Sequence, residues 1–263
     1  MRRYLRLYGI FLSQYLKSKM QSKVDFFIGV FAFVLSQIMG VAFLAMVFQR
    51  IPDLNGWSFY QLVFIYGYAQ IPRGIDHFVT DYLWPFARLT VREGLFDRYL
   101  LRPVSPLFQI IVEGFKPDGL GEIAVGLVLV FYSIGAMGLS ITVGGVLLFI
   151  LSVFAGAVIF AAVKILCATL AFFIKNSYQV LYLVHNTSDF AKYPLSIYNA
   201  PVRIILSFII PFAFTAFIPA SYFLGQDSLL FTVGAEVLIA VVFLTLAYQF
   251  FKFGCTRYES AGN

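Results

Sequence analysis

The fold class predicted by this sequence is an all-α integral membrane protein, and three observations predict it. The chain is 60% hydrophobic and 12% charged, with a mean hydropathy of +0.85, so it has too few polar side chains to cover the surface of a soluble domain. Several apolar stretches reach the roughly 20 residues that a helix needs to cross a hydrocarbon core. The basic residues are also grouped. Arg2, Arg3, Arg6, Lys17, Lys19 and Lys23 precede the first stretch, Arg88, Arg92, Arg98, Arg102 and Lys116 lie mid-chain, and Lys252 and Arg257 follow the last stretch. By the positive-inside rule these three segments and both termini are cytoplasmic, which predicts a multi-pass protein of the cell membrane. The formal charge of +6 is then a topological signal and does not point to nucleic acid.

Residues 1–23 are expected to form a cytoplasmic amphipathic helix. Tyr4, Tyr8, Phe11, Leu12, Tyr15 and Leu16 fall at helical spacing opposite Arg3, Arg6, Ser13 and Lys17, the pattern of a helix lying in the headgroup layer. Residues 24–263 are expected to form one transmembrane domain. No cleavable signal peptide is expected, because the first apolar run, 24–48, is too long for a signal h-region. That run is the first span, and Pro52, Asn55 and Gly56 mark the outer loop that turns the chain back. A second span over 58–80 returns inward.

A polar island over 84–106, WPFARLTVREGLFDRYLLRPVSP, separates the second span from the third and opens a cytoplasmic loop of about 84–117. Within it Leu95, Phe96, Tyr99 and Leu100 form one apolar face among Arg92, Glu93, Asp97 and Arg98, and Pro103 and Pro106 stop the helix. Such a helix either lies on the membrane or enters a groove of a soluble partner. The acidic Glu93 and Asp97 suit a protein better than an anionic leaflet.

The third span is expected over 119–137, with a tight outer turn at 138–142. The fourth, 143–173, is over-long and must be tilted, broken or extended into the cytoplasm near Lys164 and Lys175. The last clear span is 229–251, so cytoplasmic termini require one further crossing between 175 and 226. Either a rather polar span over 176–190 precedes re-entrant helices at 193–223 broken by Pro194, Pro201, Pro211 and Pro219, or 203–224 is itself the span. Charge counting favours the second and proline density the first.

The sequence excludes some chemistry directly. It has no G-x-x-x-x-G-K-[ST] phosphate loop, so energy for pumping must come from a partner or a gradient. His77 and His185 are far apart with no nearby cysteine, and no metal site is expected. Nor do a nucleophile and base fall at useful spacing for an intramembrane enzyme. Arg73, Asp76 and His77, at i, i+3 and i+4 near the inner end of the second span, are candidates for a translocation route, as is Glu236 in the last span, which is expected to face a cavity or a neighbouring subunit. The plainer reading of Arg73 and Asp76 is a self-satisfied pair with a snorkelling arginine. Glu122 reads as a lone interfacial carboxylate. Ser152, Gly156, Ala157 and Ala161 allow close helix contact within the bundle.

The segments REGLFDRYLLRPVSPLFQ, YPLSIYNAPVRIILSFIIPFAFTAFIPASYFLG and RYESAGN resemble the membrane subunit of ABC-2-type transporters, in the small six-span permease branch. That resemblance implies six transmembrane helices with an N-terminal interfacial helix, a cytoplasmic coupling helix and outer re-entrant helices before the last span, which is the first of the two topologies above. It implies a permease subunit of an ATP-driven transporter, usually an exporter, with its route at a permease dimer interface. The implied partners are two cytoplasmic ATP-binding subunits, a second permease that is identical or homologous, and membrane lipid. No cofactor would be bound by this chain; ATP and Mg would be held by the ATPase. By similarity the coupling helix covers 92–102, and Arg92, Glu93, Gly94, Phe96, Asp97, Arg98, Tyr99, Leu101, Arg102 and Pro103 match the branch motif at the ATPase interface. The reading from another class is a gradient-driven carrier or channel using Arg73, Asp76, His77 and Glu236 without an ATPase.

Overall fold

The computed structural model describes residues 23–174, 176–225 and 227–259, together with Gly9. The amphipathic helix expected over 4–16 lies outside the described residues. Among the described residues the chain is helical, with no strand beyond an isolated bridge between Leu54 and Trp57.

Helix α1 spans Lys23–Phe48 and α2 spans Phe59–Thr80. Between them Asn55 and Gly56 both take positive φ, 53° and 85°, and the Leu54 and Trp57 backbones exchange two hydrogen bonds. This is the tight Asn-Gly turn that only such residues make without strain. Ser58 then starts α2 with a reciprocal capping box to Gln61, satisfying two otherwise orphan amides.

After α2 the chain stays helical through Leu83–Pro85 and Phe86–Thr90, and the loop then carries α3 over Asp97–Leu100 and α4 over Pro106–Val112. Helix α5 runs Asp118–Met137 and ends on Gly138 at φ 64°. Helix α6 runs Val143–Thr169 and continues unbroken to Phe172, a 30-residue apolar rod. Then follow α7 over Tyr178–Thr187, α8 over Ala200–Ile204, α9 over Phe217–Phe223 and α10 over Ala235–Thr256. Four helices are long and apolar enough to cross a membrane: Phe31–Phe48, Asp118–Met137, Val143–Phe172 and Leu230–Thr256. The other two expected crossings, 58–80 and 176–190, take different forms.

Helix α2 has the length, about 33 Å at about 1.5 Å per residue, but not the composition. It is enclosed by its neighbours, with residues 62–72 all buried. What lets so polar a helix sit inside is close backbone approach to α5. A Cβ added at Gly74 would lie 2.6 Å from the Gly119 carbonyl oxygen, and one at Gly119 would lie 2.4 Å from that of Gly74; Gly67 and Gly126 meet in the same way one heptad along. Glycines at i and i+7 on two antiparallel helices form a seam that no larger residue could make. Helix α6 packs against both α2 and α10, while α1 stays peripheral, with Phe31, Met39, Phe43 and Met46 exposed.

Segment 177–196 runs antiparallel to α2 along its whole length. Ser177 Oγ donates to the Ala87 carbonyl beyond the far end of α2, at 3.2 Å. His185 lies at Arg73 and His77, Asp189 binds Arg73, and Lys192 sits over the Tyr66 ring. Finally Asn55 Nδ2, in the turn before α2, donates to the Ser196 carbonyl at 3.2 Å. Twenty residues cover that distance because only α7 is α-helical; a 3-10 stretch and extended residues, rising more steeply, complete it. The chain then dips and returns: Phe212 packs on Phe160 in the body of α6, and Phe217 on Trp57 in the turn. The prolines act differently from the expectation. Pro201 and Pro219 sit in the first turns of α8 and α9, where a missing amide costs nothing, and only Pro194 and Pro211 separate elements.

Candidate functional site

The island over 84–106 is not one continuous helix. Gly94 has φ 70°, a left-handed conformation that ends regular helix, so 91–96 form turns between the helical stretch that runs through Leu83–Pro85 and Phe86–Thr90 and the short helix Asp97–Leu100. The apolar face expected of Leu95, Phe96, Tyr99 and Leu100 divides in two. Phe96 and Tyr99 turn inward, Phe96 against Phe86, Phe172 and Tyr258. Leu95 and Leu100 turn outward with Leu101, which is 85% exposed.

Arg98 braces the loop from its exposed side. Its guanidinium donates to Glu113 at 2.5 Å, to Tyr99 at 2.7 Å and to Tyr82 at 3.2 Å, and the Tyr99 hydroxyl donates to the other Glu113 oxygen. Burial and the Glu113 carboxylate hold the Tyr99 hydroxyl well above the usual phenol range, so it stays a donor at every physiological pH. Asp97 opens α3 and is partly buried. Arg92 and Glu93 pair loosely at 3.6 Å on the exposed side, and Arg102 and Pro103 are exposed beyond α3. The loop therefore consists of a rigid aromatic root and an outward ridge of Arg92, Glu93, Leu95, Leu100, Leu101, Arg102 and Pro103.

The second region lies on the C-terminal half of α2. Arg73, Asp76 and His77 do share a stretch of helix, but each reaches a different element. Asp76 Oδ2 lies 2.6 Å from Lys164 Nζ of α6, with side chains 0% and 2% exposed, although that contact lacks the angle of a good hydrogen bond. Thr80 Oγ donates to Asp76 as well. His77 Nδ1 is 2.7 Å from Glu122 of α5, and Arg73 is 2.6 Å from Asp189, which also binds Lys192 at 2.8 Å. His185 closes the cluster, 3.4 Å from both Arg73 and His77.

Three expectations change here. Arg73 is not paired with Asp76, because Lys164 reaches Asp76 first. Lys164 is not a cytoplasmic extension of α6 but an interior residue. Glu122 is not a lone interfacial carboxylate; it is 6% exposed and bound to His77. The cluster brings together three basic side chains (Arg73, Lys164, Lys192) and three carboxyl side chains (Asp76, Glu122, Asp189) with two histidines. Burying charges is tolerable only under such pairing.

Glu236 does not join them. It is 0% exposed, so it faces neither a cavity nor an open flank, and it accepts from Ser152 Oγ. The Ser152 hydroxyl has one proton, so the Tyr68 hydroxyl, 2.5 Å away, must donate to Ser152. Glu236 Oε1 sits 3.2 Å from where a Cβ on Gly156 would be. The small residues of α6 are therefore packing positions, and one of them makes room for this carboxyl.

Sequence reading missed Lys164, His185, Asp189 and Lys192 as members of the cluster. The available signals were an isolated lysine inside a very apolar rod and the unusual polarity of 176–192. Compared with known proteins, residues 34–262 match the family model described as ABC-2 family transporter protein. No curated protein and no solved structure matches the chain.

Proposed function

The chain belongs to the ABC-2 transporter family, a membrane permease subunit, and from that premise we propose that it works as the transmembrane half of an ATP-driven exporter of the cell membrane. In this reading it crosses six times, with α2 and segment 177–196 as the two polar crossings, residues 197–228 re-entrant from the outer side, and both termini cytoplasmic. Residues 24–263 act as one transmembrane domain behind the N-terminal helix of 1–23.

The observation that carries the proposal is the outward ridge of the 84–106 loop. A loop that buries its aromatics yet leaves Leu95, Leu100 and Leu101 at 47%, 48% and 85% exposure presents an apolar patch to a protein partner. Two ATP-binding subunits, holding ATP and Mg, dock there on two permeases that are identical or homologous. ATP binding favours one arrangement of that dimer, and the braced root at Arg98 and Glu113 passes the bias to the spans.

The open side of the charged cluster supports a route beside it. Asp189 is 53% exposed and Arg73 17%, midway along α2, and charged groups at that depth face water or protein rather than lipid. Arg73, His77, Asp189 and Lys192 are the wall in this reading, whereas Asp76 and Glu236 are sealed inside the subunit. The test is Leu101→Asp, in membranes that also hold the cognate ATPase. We expect ATPase capture and ATP-dependent transport to be lost while insertion and melting temperature stay unchanged. Retained capture and full substrate-stimulated hydrolysis would reject the docking assignment, and flux without ATP would favour a gradient-driven carrier.

A further inference from the structure

A groove of about 690 Å³ opens between α4, α6 and α10, and none of its lining residues belongs to the outward ridge or to the charged cluster. Its character changes along its length. Leu107, Ile111, Ile165 and Leu244 make an apolar floor, and Gln249 and Lys252 stand at the end where α10 finishes. Lys252 is exposed and has no ion pair among the described residues; its ammonium rests 5.7 Å from the Tyr248 ring centre. An apolar trough capped by an unpaired cation matches one class of molecule, an acyl chain with an anionic head.

We propose that this groove is a binding site for an anionic phospholipid of the leaflet at the Lys252 end. Its phosphate pairs with Lys252 and Gln249, and one acyl chain lies along Leu244 and Ile165. Lysine is a compact donor that holds phosphate as a point charge, and the lipid supplies the carbon chain that the apolar floor otherwise leaves to chance contacts. Charge argues against the other occupants. Residues 1–22 carry Arg2, Arg3, Arg6, Lys17 and Lys19 and no acidic residue, so they are repelled by Lys252. A second copy related by a two-fold axis would bring its own Lys252 and Arg257 to the same place.

The test uses the full chain in phosphatidylcholine vesicles with Leu244→Trp as a reporter, its fluorescence taken as the difference from the unmodified chain with Trp57 and Trp84. Dibrominated phosphatidylglycerol or dibrominated phosphatidylcholine is added at equal mole fraction. We expect the phosphatidylglycerol probe to quench the reporter with an apparent affinity about fivefold higher, the preference that one basic residue near a membrane surface supplies. Lys252→Gln erases that preference and Lys252→Arg keeps it. Equal quenching by the two lipids would overturn the proposal, leaving ordinary bulk lipid. So would quenching by neither, which would mean that residues 1–22 or a second copy cover the groove. If Leu244→Trp fails to insert, Thr245→Trp on the rim reports the same comparison.

Discussion

Lys164 shows how far a single side chain can depart from what its neighbours in sequence suggest. It is the only charged residue of its helix and would be drawn to an interface if Asp76 were not waiting inside. With Asp76 at 0% exposure and Lys164 at 2%, either charge left alone would be stranded in a medium that does not solvate it. We therefore expect Lys164→Met to lower the unfolding free energy in detergent by about 3–5 kcal/mol, and the double variant with Asp76→Leu to recover most of it. A single variant that melts with the unmodified chain would show that the pair carries no such cost. Glu236 is held without a cation: Ser152 donates to it and is itself held by the Tyr68 hydroxyl, and this chain was not readable from spacing because its three members are 84 residues apart in each step.

Among the elements, α2 depends on glycine more than on hydrophobicity. The Gly67/Gly126 and Gly74/Gly119 contacts bring two backbones together, and weak Cα–H···O contacts become available at such a distance. Gly119→Val places carbon where the Gly74 carbonyl already is, 2.4 Å away. We expect it to cost about 1–3 kcal/mol through overpacking, read as a lower melting temperature, whereas Gly135→Val on the same helix, with nothing within 4 Å, should leave melting unchanged. Equal effects at both sites would mean that helix propensity, not the seam, governs. The four glycines were visible in the sequence, but their pairing needs two helices to be antiparallel and in register, which neither helix specifies alone. Likewise the helix expected over 92–102 is reduced to Asp97–Leu100, because Gly94 takes a left-handed φ and 91–96 form turns.

For the molecule as a whole, the decisive path is 177–196 laid along α2, joining Ala87 at one end to Asn55 at the other. It predicts sidedness. In a chain with Cys167 and Cys255 replaced, Ser196→Cys and Asn55→Cys should react with a membrane-impermeant maleimide from one side, and Leu101→Cys only from the opposite side. Ser196 labelling together with Leu101 would remove one crossing and reverse the direction of α10. That the chain is helical and multi-pass with a polar loop in its middle is legible from the amino acids alone, because hydropathy, length and charge placement act locally and add along the chain. Which polar residues meet depends on how the helices pack. Arg73 found Asp189, Asp76 found Lys164 and His77 found Glu122, since the choice of partner for a buried charge is made by the packing of whole helices and not by the residues three or four positions away.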